Sequence, residues 1–190
     1  MEKEELLILF QELGAMLKGH FQLSSGKHSP TYMQNALILC HPRYASMLGQ
    51  GLAQKIKDLQ IDLVISPALG GVIIGHELAR ALGKPAFFCE RVNNIMTLRR
   101  GFHIKPKQNI FLVEDVVTTG GSLEEVAKVV EAEGGQVVGY GAVVDRTGIS
   151  PFKGSRFEAL LKIDLDIYDS QDCPLCKENI PVMRPGTHKK

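Results

Sequence analysis

Two adjacent acids, Glu114 and Asp115, precede a run of small hydroxyl and glycine residues, Thr118, Thr119, Gly120, Gly121 and Ser122. Glycines let an anion come close to the backbone, and backbone N–H groups at a helix N-terminus bind it. The Thr and Ser hydroxyls add donors around the same anion. The acids repel a phosphate, so they suit the hydroxyls of a sugar, or a metal, a few ångströms away. The chemistry these residue types ask for is recognition of a phosphorylated sugar. No G-x-x-x-x-G-K-[ST] occurs, and no G-x-G-x-x-G follows an apolar strand, which sets aside the common nucleotide loops. Read without its surroundings, the stretch is also compatible with an ordinary turn between strand and helix.

Further along the chain, Leu69, Gly70 and Gly71 form a second small-residue turn, a weak motif alone but a candidate cradle for a second anion. Residues 92–108 are polar and strongly basic, with Arg99, Arg100, His103, Lys105 and Lys107. A segment of this length is expected to be a lid whose Arg99 and Arg100 grip phosphate oxygens. The competing reading is a solvated loop or a hairpin with arms at Ile95–Leu98 and Phe102–Ile104. Arg146, after Asp145, suits a carboxylate or the imide edge of a base, and a structural Asp145–Arg146 pair is equally compatible with the sequence. Cys173 and Cys176 form a C-x-x-C pair near the C-terminus. A structural zinc site needs four ligands. Zinc would require Cys40, Cys89, a histidine or a partner chain, and His188 is close to the chain end, so the pair reads first as two ordinary thiols.

The elements that must position these residues follow from the apolar pattern. Leu6, Leu9, Phe10, Leu13 and Leu17 are spaced for one face of a helix over 2–18, with Gly19 as its stop. Residues 20–35 read as two short strands around a polar turn with Gly26 at the bend. Pro42 opens a helix running to about Leu59. Strands are expected at Ile61–Ala68, Pro85–Arg91, Asn109–Val116, Gln136–Asp145 and Phe157–Leu165, with helices at Gly71–Leu82 and Ser122–Glu133. This alternation predicts an α/β fold, a mainly parallel central sheet flanked by helices. Ligands of such sheets collect at the carboxyl ends of the strands. Three ends carry suitable residues: Pro67–Gly71, Glu114–Ser122 and Asp145–Arg146.

The chain has 190 residues, 44% of them hydrophobic, and a net charge of +1. That length predicts one domain: a small hood over about 19–40, a core over about 41–166 and a tail over about 167–190. The near-neutral charge gives no case for nucleic acid, and no apolar run is long enough for a membrane span. The acidic N-terminal stretch is unlike a signal peptide, so a cytoplasmic location is expected.

The acid pair and its loop resemble the phosphoribosyl-pyrophosphate (PRPP) motif of the type I phosphoribosyltransferases. Taken with Leu23–Ser29 and with Asp145 and Arg146, the chain from about Gly19 to Gly148 resembles the orotate phosphoribosyltransferases. Leu98–Phe102 and the terminal C-x-x-C look like the subgroup typified by thermophilic bacteria. The resemblance implies the type I phosphoribosyltransferase fold and the conversion of orotate and PRPP to orotidine 5′-monophosphate and pyrophosphate, in UMP biosynthesis. It implies that Glu114 and Asp115 hold the ribose hydroxyls and that Val116, Val117, Thr118, Thr119, Gly120, Gly121 and Ser122 wrap the 5-phosphate. Leu69, Gly70 and Gly71 would face pyrophosphate, in a turn that often carries a cis non-proline peptide, and Arg91 would sit at the base of the lid. Orotate would meet Arg146, with Thr118, Tyr32, Met33 and Lys27 nearby. Glu114, Asp115, Arg99, Arg100 and His103 would carry the catalytic step, Mg²⁺ would arrive on PRPP, and the molecule would be a homodimer with the lid shared across the interface. Family lysines are replaced here by Ser24 and Gly70, and the lid has a different set of basic residues. Two alternatives stand beside this reading: transfer to another base, and a PRPP-sensing regulator without catalysis.

Overall fold

The computed structural model describes residues 3–23, 26–163 and 166–184. Its central sheet has six strands in the order β5-β4-β3-β6-β7-β8. These are β3 (Leu63–Pro67), β4 (Ala86–Val92), β5 (Ile95–Leu98), β6 (Asn109–Val117), β7 (Gln136–Asp145) and β8 (Phe157–Lys162). All neighbours are parallel except β4 and β5, which form an antiparallel hairpin. Helices α3 (Pro42–Lys55) and α4 (Gly70–Leu82) cover one face, and α5 (Gly121–Ala132) the other.

Strand alternation explains how β6 serves both faces. Phe111 and Val113 enter the cluster with Leu48, Leu52, Ile74 and Leu78, from α3 and α4. Ile110 and Leu112 enter the opposite cluster with Leu123, Val126 and Val130, from α5. The same alternation carries on to the acids, so Glu114 turns toward α5 and Asp115 toward the start of α4. Buried on both sides, this strand has to be an apolar run, which is why its sequence signal is strong.

The chain leaves β3 through α4 toward β4 and β5, then returns to β6 on the other side of β3 and proceeds through α5 to β7. Right-handed crossovers running in opposite directions put α4 and α5 on opposite faces. A crevice therefore opens between the carboxyl ends of β3 and β6, the switch point where ligands of open α/β sheets bind. The 68–71 turn and the 114–122 stretch flank it.

A second, two-stranded antiparallel sheet consists of β1 (Met16–Gln22) and β2 (His28–Met33). The Asn35 side-chain amide donates to the Asp115 carbonyl at 2.8 Å, which ties this hairpin to the end of β6. The C-terminal segment packs back on it through bridges between Phe21 and Met183 and between His28 and Tyr168.

Several sequence expectations are corrected. The first helix, α1 (Lys3–Glu12), is shorter than 2–18. It ends before Gly14, which adopts φ +65, a conformation costly for other residues, and Leu17 and Gly19 belong to β1. Helix α3 stops at Lys55 rather than Leu59, and a one-turn helix α2 (Ala36–Leu39) precedes it. The basic 92–108 segment is partly strand: Ile95–Leu98 pairs with β4 through a turn at Asn93 and Asn94, both at positive φ, and not with Phe102–Ile104. Phe102 instead stacks on Phe87 with centroids 4.3 Å apart, and Ile104 is buried. Strand β8 is described to Lys162; Ser24, Leu165 and His188 lie outside the described residues.

Candidate active site

Glu114 and Asp115 are half-buried at the end of β6. Burial, and then the neighbouring Asp115 charge, push the Glu114 carboxyl from its ordinary 4.5 up to about 7. A hydrogen bond from the Ser122 hydroxyl and the charge of Arg91 pull the other way. Burial also pushes Asp115 up, against backbone N–H donors at Val116 and Asp115 itself. Two carboxyls in one desolvated corner are short of positive charge and of donors, a condition that a cation or a pair of sugar hydroxyls relieves.

The loop that follows reaches α5 through Gly120, which is buried at φ +81. A Cβ there would lie 2.6 Å from Pro151 Cγ and 3.1 Å from the Phe152 ring, so both conformation and space require glycine. Thr118 and Thr119 are exposed on the outer side of this turn. Helix α5 starts with the Gly121 N–H donating to the Thr119 hydroxyl oxygen at 3.5 Å, and Gly120, without a side chain, is at its N-cap. Its first N–H groups, with Thr118, Thr119 and Ser122 beside them, are the components of an anion cradle.

Across the crevice, the peptide between Ala68 and Leu69 is cis, as the resemblance implies. Leu69 and Gly70 are exposed and Gly71 is buried at the start of α4. A Cβ on Gly70 would meet the Asp115 carboxylate at 2.5 Å. The side chain missing here thus leaves room for Asp115 to approach the turn, and a lysine would force that carboxylate to swing aside.

Arg146 follows β7, and its N–H donates to the Val117 carbonyl at 2.8 Å, beside the acid loop. Asp145 does not pair with its guanidinium: the Asp145 carboxylate accepts from the Thr147 N–H at 2.8 Å and hydroxyl at 2.7 Å. Among the described residues, Arg146 Nε and Nη2 are buried with no hydrogen-bond partner. Burial pulls the Arg146 pKa down, and the nearby Tyr32 opposes this only in part. A buried guanidinium with unpaired donors is a strong demand for an anion with two acceptors in a plane, a carboxylate above all.

Other expected site residues are placed differently. Met33 is in the core with Ile38 and Leu39, and Lys27 is exposed and paired with Asp169 at 3.3 Å. Arg91 bonds Glu125 on α5 at 2.6 Å. Arg100 forms a two-pronged pair with Glu90 at 3.0 and 3.2 Å, and Arg99 lies 3.7 Å from the same carboxylate. Both arginines and His103 are exposed at the β4–β5 side of the sheet. Sequence reasoning missed Asn35, whose Oδ1 is buried without a partner among the described residues while its amide donates to the Asp115 carbonyl. It also missed Glu90 and Glu125, the acids that occupy the basic residues. Asn35 lay within the segment singled out as hood, but a single polar residue there carries no periodic signal.

With this geometry in view, a phosphoribosyl transferase domain model matches residues 38–153. The orotate phosphoribosyltransferase of Caldanaerobacter subterraneus subsp. tengcongensis is 48% identical over 189 residues, covering 100% of both chains. That of Pelotomaculum thermopropionicum is also 48% identical over 189 residues, again with 100% of both covered. Among solved structures, orotate phosphoribosyltransferase from Aeropyrum pernix aligns with a TM-score of 0.69 at 27% identity, over 83% of this chain and 93% of that one. The Mycobacterium tuberculosis H37Rv enzyme in complex with PRPP aligns with a TM-score of 0.63 at 26% identity, over 84% and 95%. This chain therefore belongs to the phosphoribosyltransferase family, and the domain match spans the switch-point crevice and its two small-residue turns. Within that family its full-length similarity is to the orotate phosphoribosyltransferases.

Proposed function

We propose that the chain transfers the 5-phosphoribosyl group of PRPP to orotate, giving orotidine 5′-monophosphate and pyrophosphate, in pyrimidine biosynthesis. The observation that carries this reading is the buried, unpaired guanidinium of Arg146 beside the acid loop. Orotate has a carboxylate and an imide edge to satisfy it, whereas a purine base has no carboxylate.

In this reading Glu114 and Asp115 hold the ribose hydroxyls, and residues 116–122 at the start of α5 hold the 5-phosphate. Leu69, Gly70 and Gly71 face pyrophosphate, and Arg146, with Thr118 and Tyr32, holds orotate. As the C1–O bond to pyrophosphate lengthens, positive charge develops on the ribose. The ring nitrogen of orotate then bonds C1, the bonding electrons of C1–O leave with pyrophosphate, and the proton of that nitrogen passes to pyrophosphate or water. No covalent enzyme intermediate is required, so catalysis is positioning and electrostatics. Glu114 and Asp115 suit a hard cation that prefers oxygen ligands, and they would meet Mg²⁺ arriving on PRPP. When bound, that ion neutralises charge on the departing pyrophosphate. Arginine stays protonated at neutral pH, so a proton donor in the lid would be His103 or a lysine. Arg99 and Arg100 would exchange Glu90 for pyrophosphate when the lid closes.

The chain acts as one phosphoribosyltransferase domain, works as a homodimer with small-molecule substrates, and is cytoplasmic. No described helix is long and apolar enough to cross a membrane. The deciding experiment is a spectrophotometric assay of orotate consumption with PRPP and Mg²⁺. Turnover with orotate supports the reading. Turnover with a purine alone would replace the acceptor, and PRPP binding without any turnover would favour a sensor.

A further inference from the structure

Four side chains that the transfer reaction does not use converge on one point. His20 comes from β1, His28 from β2, and Cys173 and Cys176 from the start of the one-turn helix α6 (Pro174–Lys177). Their ligand atoms all lie within 4.8 Å of one another. His20 Nε2 is 3.5 Å from Cys173 Sγ and 3.7 Å from Cys176 Sγ. His28 Nδ1 is 3.3 Å from Cys176 Sγ and 2.8 Å from His20 Nε2. His20, His28 and Cys173 are buried and Cys176 is half-buried. Both cysteines are free thiols.

We propose that His20, His28, Cys173 and Cys176 form a structural zinc site that clamps the β1–β2 hairpin to the C-terminal segment. Zinc–sulfur bonds of about 2.3 Å and zinc–nitrogen bonds of about 2.0–2.1 Å, arranged tetrahedrally, put sulfur and nitrogen ligands about 3.5 Å apart. The three sulfur–nitrogen separations, 3.3, 3.5 and 3.7 Å, bracket that value. The two ring nitrogens need to part by about half an ångström on the same geometry, as the proton between them gives way to the metal. His20 Nδ1 lies 2.7 Å from the Ile180 carbonyl, an acceptor, so that nitrogen carries the hydrogen and donates it. Nε2 is then left with its lone pair facing the thiols, the orienting arrangement typical of metal-bound histidines.

The donor set selects the metal. Two thiolates and two neutral imidazoles suit zinc, while Mg²⁺ and Ca²⁺ take oxygen ligands. Four protein ligands leave no open position, so the site holds structure rather than chemistry. Its structural task is evident. A two-stranded hairpin is marginally stable by itself, and a four-residue helix cannot stand alone. Around the cluster, the same two segments meet through the Phe21–Met183 and His28–Tyr168 bridges and the exposed Lys27–Asp169 pair. A metal joining them holds the hairpin, and with it Tyr32, over the crevice.

The test is metal analysis of the purified full chain after dialysis. About one zinc per chain is expected, with an unchanged value in Cys40→Ser, which alters an exposed cysteine outside the cluster. In the Cys173→Ser/Cys176→Ser double variant the metal should fall to background. Because that variant could lose its fold, cobalt substitution of the unmodified protein supplies a second readout. Intense visible bands of tetrahedral cobalt with thiolate-to-metal charge transfer are expected. Substoichiometric zinc in the wild-type chain, weak octahedral cobalt bands, or a Cys173–Cys176 disulfide in freshly purified protein would each overturn the site.

Discussion

Arg146 is where stability and function pull in opposite directions. Its head is buried with two unpaired nitrogens, a cost the fold carries until an anion arrives. Arg146→Met keeps apolar bulk and removes the charge. The unliganded variant should unfold at higher denaturant by about 1–3 kcal/mol. Its KM for orotate should rise about 30-fold or more, the loss of a buried charged hydrogen-bond partner. A variant that loses stability and keeps its KM would remove Arg146 from acceptor binding. Glu114 makes a similar point through pH. Its native pKa of about 7 lies above the ordinary 4.5, so the folded chain binds this proton more tightly than the unfolded chain. Native stability therefore falls as pH rises from 4.5 to about 7, and above that the penalty is complete, on the order of 3 kcal/mol. Glu114→Gln should be more stable than wild type at about pH 8 and close to it at about pH 5, in urea unfolding at each pH. If Glu114 holds the ribose hydroxyls as proposed, the same change should raise the KM for PRPP, since an amide replaces a carboxylate.

At the scale of elements, the turn into α5 and the β4–β5 hairpin call for different tests. Gly120→Ala adds a Cβ against Pro151 and Phe152 at positive φ. It should cost about 1–3 kcal/mol and weaken PRPP binding, because the turn cannot move without taking the N–H groups of α5 with it. Calorimetry with and without PRPP separates the two effects. Arg100, by contrast, makes an exposed pair with Glu90 and passes over the Phe88 ring. An exposed pair is worth about 0–1 kcal/mol, so Arg100→Ala should leave the melting temperature nearly unchanged. A fall in kcat in that variant identifies the hairpin as a closing lid, and an unchanged kcat leaves Arg100 a surface residue.

At the scale of the whole molecule, α4 and α5 leave adjacent strands toward opposite faces and open the crevice between them, and the β1–β2 hairpin is held from two directions. Asn35 fastens it to β6, and the C-terminal segment fastens it from outside. The proposed homodimer is tested at this scale, and Ile95 on the β4–β5 hairpin is an exposed apolar residue, 68% accessible. Sedimentation should then report twice the chain mass, and mixing a lid variant with an acid-loop variant should restore activity in mixed dimers. Failure of that complementation would confine each site to one chain.

By itself the sequence determined the alternation of strands and helices in the core and the acid pair with its loop. These are local: an apolar run buried on both faces, and a turn whose glycines and hydroxyls are consecutive, leave their mark within a dozen residues. The β1–β2 hairpin was legible around Gly26, but the first half of β1 was hidden because Leu13 and Leu17 extend the spacing of α1 past Gly14, and no pattern marks where burial changes from helix to sheet. Tertiary structure alone decided that Asp145 turns to Thr147 and leaves Arg146 unpaired, and that Glu90 takes Arg99 and Arg100. It alone brought His20 within reach of Cys173, 153 positions away. Such partnerships depend on which groups lose water together, and chain separation carries no record of that.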